Sequence, residues 1–235
     1  MNRPHRAAVA ALALLCTLGV PAHAEQEGTP FSAYFSFSTD KPAAVVAALQ
    51  AFAASDCRKA MPTAMRLMGN LFNGDEPATH TLIWSNASIE DMQEGFGAFG
   101  ACRESAVLGA TMAELTEPVS QVLGMPLIAE GDPATTSVYT LWQVTLTDEA
   151  AYVKAYEKLM AKLAEDGMGP TAWGLIRIVG GRDSEVTHLV YSGSPTLVDH
   201  FSGAGDSRAY ADFAKSVDRI RTIRRQSVNF AVADL

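Results

Sequence analysis

The chain has 235 residues, 48% of them hydrophobic and 19% charged, with a formal net charge of −8. That is ample apolar material for a packed core and too much for a disordered chain. The acidic balance speaks against a binder that works by neutralising phosphates, and no apolar run of about 18 residues follows the N-terminal segment, so a helical membrane span is not expected in the mature chain.

Residues 1–24 read as a secretory signal peptide. Arg3 and Arg6 form its basic start, Ala7 to Val20 its short apolar stretch, and Ala22-His23-Ala24 a small-residue cleavage site. Cys16 follows Leu15, where a lipidation signal wants a small residue, so lipidation is discounted. The expected mature protein is exported and soluble, periplasmic if the source is bacterial. Cys57 and Cys102 then remain as an even pair, and an oxidising compartment favours a disulfide between them. Closing that loop is worth about 4 kcal/mol in the chain-entropy model.

The first strand is expected at Phe31–Ser38, where aromatic and small residues alternate. Asp40 is placed as the N-cap of a helix over 41–55, with Pro42 just inside and Val45, Ala48, Leu49 and Phe52 on one face. Strands at Thr63–Phe72 and Ala78–Ser85 flank Asn73-Gly74, a strong hairpin turn. Helical sequence over 88–115 is expected to break at Gly95 and Gly97, and 119–128 reads as a last strand. Gly131 to Thr135 is the linker. Beyond it come a strand at Val138–Leu146, a helix over 149–165 capped by Asp148, and strands at Thr171–Val179 and Glu185–Ser192 across Gly180-Gly181. A helix within 195–220, broken near Gly203 and Gly205, and a strand at Thr222–Val232 complete the chain.

The two halves read alike. At an offset of 108, residues 31–127 pair with 139–235 without a gap, with 19 identities in 97 positions, where composition would give roughly 7. The matches cluster: Thr39-Asp40 with Thr147-Asp148, Pro62-Thr63-Ala64 with Pro170-Thr171-Ala172, Thr79-His80 with Thr187-His188. An offset of 107 instead aligns Trp84-Ser85 with Tyr191-Ser192, and which register holds is left open, because a one-residue slip exchanges the faces of a strand. The expected organisation is a signal peptide over 1–24 and two βαββαβ, ferredoxin-like repeats over 25–130 and 131–235. Both faces of each sheet are apolar, so the sheets are expected to pack face to face as an intramolecular pseudo-dimer, monomeric overall.

His80-Thr81-Leu82-Ile83-Trp84-Ser85 precedes Ser88-Ile89-Glu90-Asp91-Met92, and His188-Leu189-Val190-Tyr191-Ser192 precedes Leu197-Val198-Asp199-His200-Phe201. A strand ending in Trp/Tyr-Ser before a short helix resembles the dimeric α+β barrel superfamily of antibiotic-biosynthesis-monooxygenase-like and stress-responsive A/B barrel domains. The resemblance implies an α+β barrel with a ligand cavity between a sheet and its helices. It also implies the activities known among such proteins, which include cofactor-independent oxygenation and haem binding or degradation.

No HxH, HExxH or His/Cys ligand spacing occurs in the mature chain, so no metal is expected, and no cofactor motif is present; haem enters only through the resemblance. His188 and His200 are the candidate catalytic groups. Trp173, Arg177, Tyr191, Trp84 and His80 are the candidate ligand-binding residues, the aromatics as flat walls with Trp142 beside them. Because Met65, Gly69 and Met92 became Trp173, Arg177 and His200, a single pocket in the second half is expected. The run Lys215, Arg219, Arg221, Arg224, Arg225 is interleaved with Asp212 and Asp218 and reads as a solvated face rather than an anion site. The leading expectation is an exported barrel that binds a small apolar or aromatic molecule. Its rivals are an oxygenase or haem-modifying enzyme, and a structural or partner-binding envelope protein that needs no cavity.

Overall fold

A computed structural model describes residues 29–181, 185–202 and 204–235. The signal segment 1–24 and the break at Gly203 lie outside the described residues. The first half runs β1 (Phe31–Ser38), α1 (Pro42–Ala53), α2 (Asp56–Lys59), β2 (Ala64–Leu71), β3 (His80–Asn86), α3 (Ile89–Ala101), α4 (Arg103–Leu115) and β4 (Glu117–Gly131). A 3-10 turn at Pro133–Thr135 leads to β5 (Val138–Leu146), α5 (Glu149–Glu165), β6 (Ala172–Gly180) and β7 (His188–Ser194). Then come α6 (Leu197–Phe201), a second 3-10 turn (Ala204–Asp206), α7 (Arg208–Val217) and β8 (Arg221–Asp234).

The strands close into one barrel in the order β1-β3-β2-β8-β5-β7-β6-β4, with β4 returning to β1 and every pairing antiparallel. Face-to-face packing of two separate sheets is therefore corrected. The edges β2 and β4 instead find partners in β8 and β6, which satisfies their backbone groups and removes every open edge. The fifteen-residue β4 makes this possible: its first part pairs with β1 and its second with β6. With neighbours antiparallel, β1, β2, β5 and β6 all run the same way along the barrel.

Helices cover the outer face. Val45, Leu49 and Phe52 of α1 pack on Phe37, Met65, Leu67, Leu82 and Trp84. Tyr152, Tyr156, Leu159 and Leu163 of α5, with Phe213 and Val217 of α7, pack on Val144, Leu175 and Val190. The hydrophobic period of each helix dictates this, and so does the alternation of each strand.

Several local expectations shift. Lys41, not Asp40, is the N-cap of α1, without a side-chain cap; Pro42 opens the helix. Asp148 does cap α5, accepting from the Ala151 amide. The Asn73-Gly74 turn is part of a longer connection over 72–79, in which Asn73 Nδ2 donates to the Glu76 and Ala78 carbonyls. The helix after β3 runs through Gly95 and Gly97 and breaks at Cys102. Gly95 is there for contact: a Cβ would collide with the Thr63 hydroxyl. Cys102 is disulfide-bonded to Cys57 (S–S 2.02 Å, Cα–Cα 6.1 Å), joining α2 to the start of α4.

The register question also resolves strand by strand. His80 and His188 occupy equivalent outward positions, each beside the hydroxyl of the preceding threonine, so β3 and β7 keep the offset of 108. Trp84 faces the helices and Tyr191 the barrel interior. In β1 and β5, however, Ala33 and Phe37 face outward as Thr140 and Val144 do, which is an offset of 107. The gap-free alignment therefore hides a one-residue insertion.

Candidate functional site

Inward-facing residues enclose a cavity of about 710 Å³ along the barrel axis. This lies within the range typical of small-molecule sites. It is the barrel lumen, not a space between a sheet and its helices, which corrects the location implied by the resemblance. Its middle is lined by Tyr34, Ile83, Leu141, Ile176, Leu189 and Tyr191, and its polar lining includes Ser36, Thr81, Asn70 and Asn229.

The polar groups are largely satisfied among themselves. Ser36 pairs with Thr81, Ser32 donates to Ser85, and Asn70 bonds Thr81. At the end where β1, β2 and β5 begin, Arg66 grips Asp234 through two N–H bonds of 2.5 and 3.0 Å and donates to the Tyr139 hydroxyl at 3.0 Å. That grip holds the Asp234 carboxyl below its usual range. At the other end Arg225 is ion-paired with Glu76. Each lumen arginine among the described residues thus carries a carboxylate partner.

Three tyrosines converge here, and each ring lies against a glycine. A Cβ at Gly174 would run into the Tyr191 ring, one at Gly193 into the Tyr139 ring, and one at Gly124 would crowd Tyr34. The Tyr139 and Tyr191 rings are 6.3 Å apart. Burial raises all three phenols, Tyr191 to about 12, so each keeps its proton at neutral pH. Tyr34 and Tyr139 escaped the sequence reading. Their signal was their inward parity in β1 and β5, which required knowing which sheet face was which.

Of the sequence-predicted residues, Tyr191 lines the lumen. Trp84, His80, Trp173, Arg177 and His188 lie on the helix-covered face. Trp84 is 5% exposed and packs against Phe35, Phe96 and Phe99. Trp173 meets Tyr156 edge-on at 5.4 Å, and Trp142 packs in the same layer. Arg177 and His188 both meet Glu149 at the start of α5: Arg177 forms a two-pronged ion pair with its carboxylate, and His188 Nε2 donates to it at 2.8 Å. These partners pull Glu149 down to about 2, Arg177 first among them. His200 links α6 to the barrel through Thr140 at 2.6 Å and Ser194 at 3.3 Å. The structure therefore does not gather Trp173, Arg177, Tyr191 and His200 into one pocket.

A haem needs a slot for its macrocycle and an axial donor. Among the described residues no histidine faces the lumen. His80 is stacked on Phe37 and bonded to Thr79, while His188 and His200 are engaged as above. A second cavity, near Phe35, Leu82 and Met112, is only about 150 Å³. Among the described residues no histidine is therefore placed to ligate a haem in either cavity. The potential metal donors Cys57, Cys102 and Glu104 lie close together, but their sulfurs are joined in the disulfide. Among the described residues no helix is long and apolar enough to cross a membrane.

No protein-family model matches the sequence, and no curated protein does. Solved structures do. A proposed monooxygenase from Lactobacillus acidophilus aligns with TM-score 0.59 and 11% identity, covering 88% of this chain and 99% of its own. A proposed monooxygenase from Fusobacterium nucleatum gives 0.60 and 10%, over 88% and 94%. A haem-binding protein from Thermus thermophilus gives 0.56 and 8%, over 87% and 92%. At these identities the likeness is one of fold: this chain has the fold of the dimeric α+β barrel proteins.

Proposed function

We propose that the protein is a monooxygenase-like barrel that takes a small, flat, largely apolar molecule into its lumen. The observation that carries this reading is the 710 Å³ cavity with apolar walls and three seated tyrosines. A structural or partner-binding envelope protein needs no such space. The similarity to proteins described as monooxygenases favours oxygenase chemistry over simple carriage. No histidine among the described residues faces the lumen to ligate a haem, so added haemin should keep the absorption spectrum of free haemin. Export through residues 1–24, and origin by duplication of a βαββαβ unit into a monomeric pseudo-dimer, complete the proposal. The matching element order and the equivalent Thr-His pairs support the duplication.

The test is native mass spectrometry of the protein from its own host beside a variant with the lumen blocked, Leu189→Trp. A co-purifying small molecule in the wild type and its loss in the variant are expected. An adduct that survives blocking would overturn the lumen assignment. Oxygen uptake with the identified molecule then separates oxygenase from carrier: no uptake would sink the oxygenase reading.

A further inference from the structure

Many hydrogen-bonding groups in the lumen are engaged with one another, and the Tyr191 hydroxyl stands out among those that are not. The Tyr191 ring crosses from β7 over Gly174, and its hydroxyl has no hydrogen-bond partner among the described residues. It is not one of the fully buried orphan atoms, so it opens onto the lumen. Tyr34, from β1, approaches the same space: its phenol is electrostatically coupled to that of Tyr191, and only the Ser32 hydroxyl stands beside its oxygen. Ser32 already donates to Ser85, which leaves its oxygen as the acceptor for the Tyr34 O–H. Both phenols stay protonated at neutral pH because burial opposes their ionisation. Meanwhile Arg66 and Arg225 are neutralised by Asp234 and Glu76. Of the three lumen tyrosines Tyr191 thus offers an unused O–H donor, and among the described residues the lumen holds no uncompensated positive charge.

We infer that the lumen selects an uncharged molecule carrying a carbonyl-type oxygen, with Tyr191 as its donor. An anionic ligand would have to displace a carboxylate from an arginine. A pure hydrocarbon would leave the Tyr191 donor unpaired, and a donor left dry forfeits its hydrogen bond to water. This inference rests on the lumen being the functional cavity, and it specifies the chemistry there.

The test uses three β-substituted probes of one shape, acetylnaphthalene, its alkene isostere isopropenylnaphthalene, and naphthoate, titrated calorimetrically into the full protein. In a donor-free apolar cavity the alkene binds tighter than the ketone, because the carbonyl gives up hydration. Here the ketone is expected to bind tighter than the alkene by about fivefold and naphthoate not to bind, since one net hydrogen bond is worth about a factor of five to ten. Tyr191→Phe should return the preference to the alkene without weakening the alkene itself, while Tyr34→Phe, which removes a hydroxyl held by Ser32, should leave the ketone preference in place. The infrared C=O band of bound acetylnaphthalene should lie lower in the wild type than in Tyr191→Phe, a signature that mere packing would not produce. An alkene preference in the wild type, with the same carbonyl band in both proteins, would overturn the donor assignment. Failure of both neutral probes to bind would instead bring down the lumen reading and this inference with it.

Discussion

On their outer face the barrel strands carry Leu67, Leu82, Val144 and Leu175, closed over by helices with little space left; on their inner face they carry Ser32, Ser36, Thr81, Leu141, three tyrosines and a cavity. The same strands therefore serve two purposes, alternating residue by residue. Stability belongs to the outer face, where these four side chains pack against helices. Ligand chemistry belongs to the inner face, where side chains stop short of one another. The residues that look most reactive in sequence, His80, His188, Arg177 and the tryptophans, all lie on the outer face and are tied there. Reactive type is a weaker guide than strand parity.

The sharpest way to break this comparison is a matched truncation. Leu175 is fully buried beneath α5 and α7. Leu175→Ala should cost about 2–5 kcal/mol in urea denaturation, the transfer loss plus a cavity the packed layer cannot close. Leu141→Ala, which only enlarges an existing lumen, should cost less than half as much. Equal losses would mean that the lumen is packed in solution.

The disulfide tests the outer layer of the first half. Cys57 and Cys102 pin α2 to α4, which packs with α1 over β1, β2 and β3. Replacing both with serine should cost about 2–4 kcal/mol, and reductant should lower the denaturation midpoint of the wild type but leave that of the variant unchanged.

Much of this layout was legible in the chain. The element order, the Asp148-capped helix over 149–165 and the cysteine pair follow from local signals: periodicity, a capping side chain, an even thiol count. What could not be read was which face of each strand meets the helices, because both faces are covered and apolar residues occupy both. Ile176 and Ile178 line the lumen while Trp173 and Leu175 sit under α5, and nothing in the alternation ranks one set above the other. The insertion between β1 and β5 compounded this: at an offset of 108, Phe31 aligns with Tyr139, which faces the opposite way. Ring-against-glycine pairs such as Tyr191 with Gly174 join residues far apart in the chain and have no local signature.

The second half replaces the disulfide with charge. Glu149 joins α5 to β6 and β7 through Arg177 and His188, and its carboxyl titrates at about 2. A depressed carboxyl contributes stability above its unfolded value, near 4.3, and loses it as pH falls toward the folded value. Stability should therefore drop between about pH 4 and pH 2 through this group. Partial exposure limits the effect, so Glu149→Gln should cost about 1–2 kcal/mol at pH 7 and flatten the acid limb of the pH–stability curve. An acid limb of unchanged slope would show that the ion pair is not made in solution.

The smallest expected effect separates the two faces most cleanly, because it compares two tyrosines that meet at one residue. Tyr156, on α5, reaches through the outer layer and donates its hydroxyl to the Tyr191 backbone carbonyl at 2.8 Å. The Tyr191 side chain leaves the same backbone on the opposite side and gives its own hydroxyl to nothing among the described residues. Tyr156→Phe removes a buried hydrogen bond and should cost about 1 kcal/mol. Tyr191→Phe removes only a hydroxyl facing open space and should alter unfolding by less than about 0.5 kcal/mol. Removing both hydroxyls should cost the sum of the two single losses, since neither bonds the other. A Tyr191→Phe loss as large as that of Tyr156→Phe would mean that the Tyr191 hydroxyl has a structural partner in solution, and the two faces would then no longer divide stability from ligand chemistry at this residue.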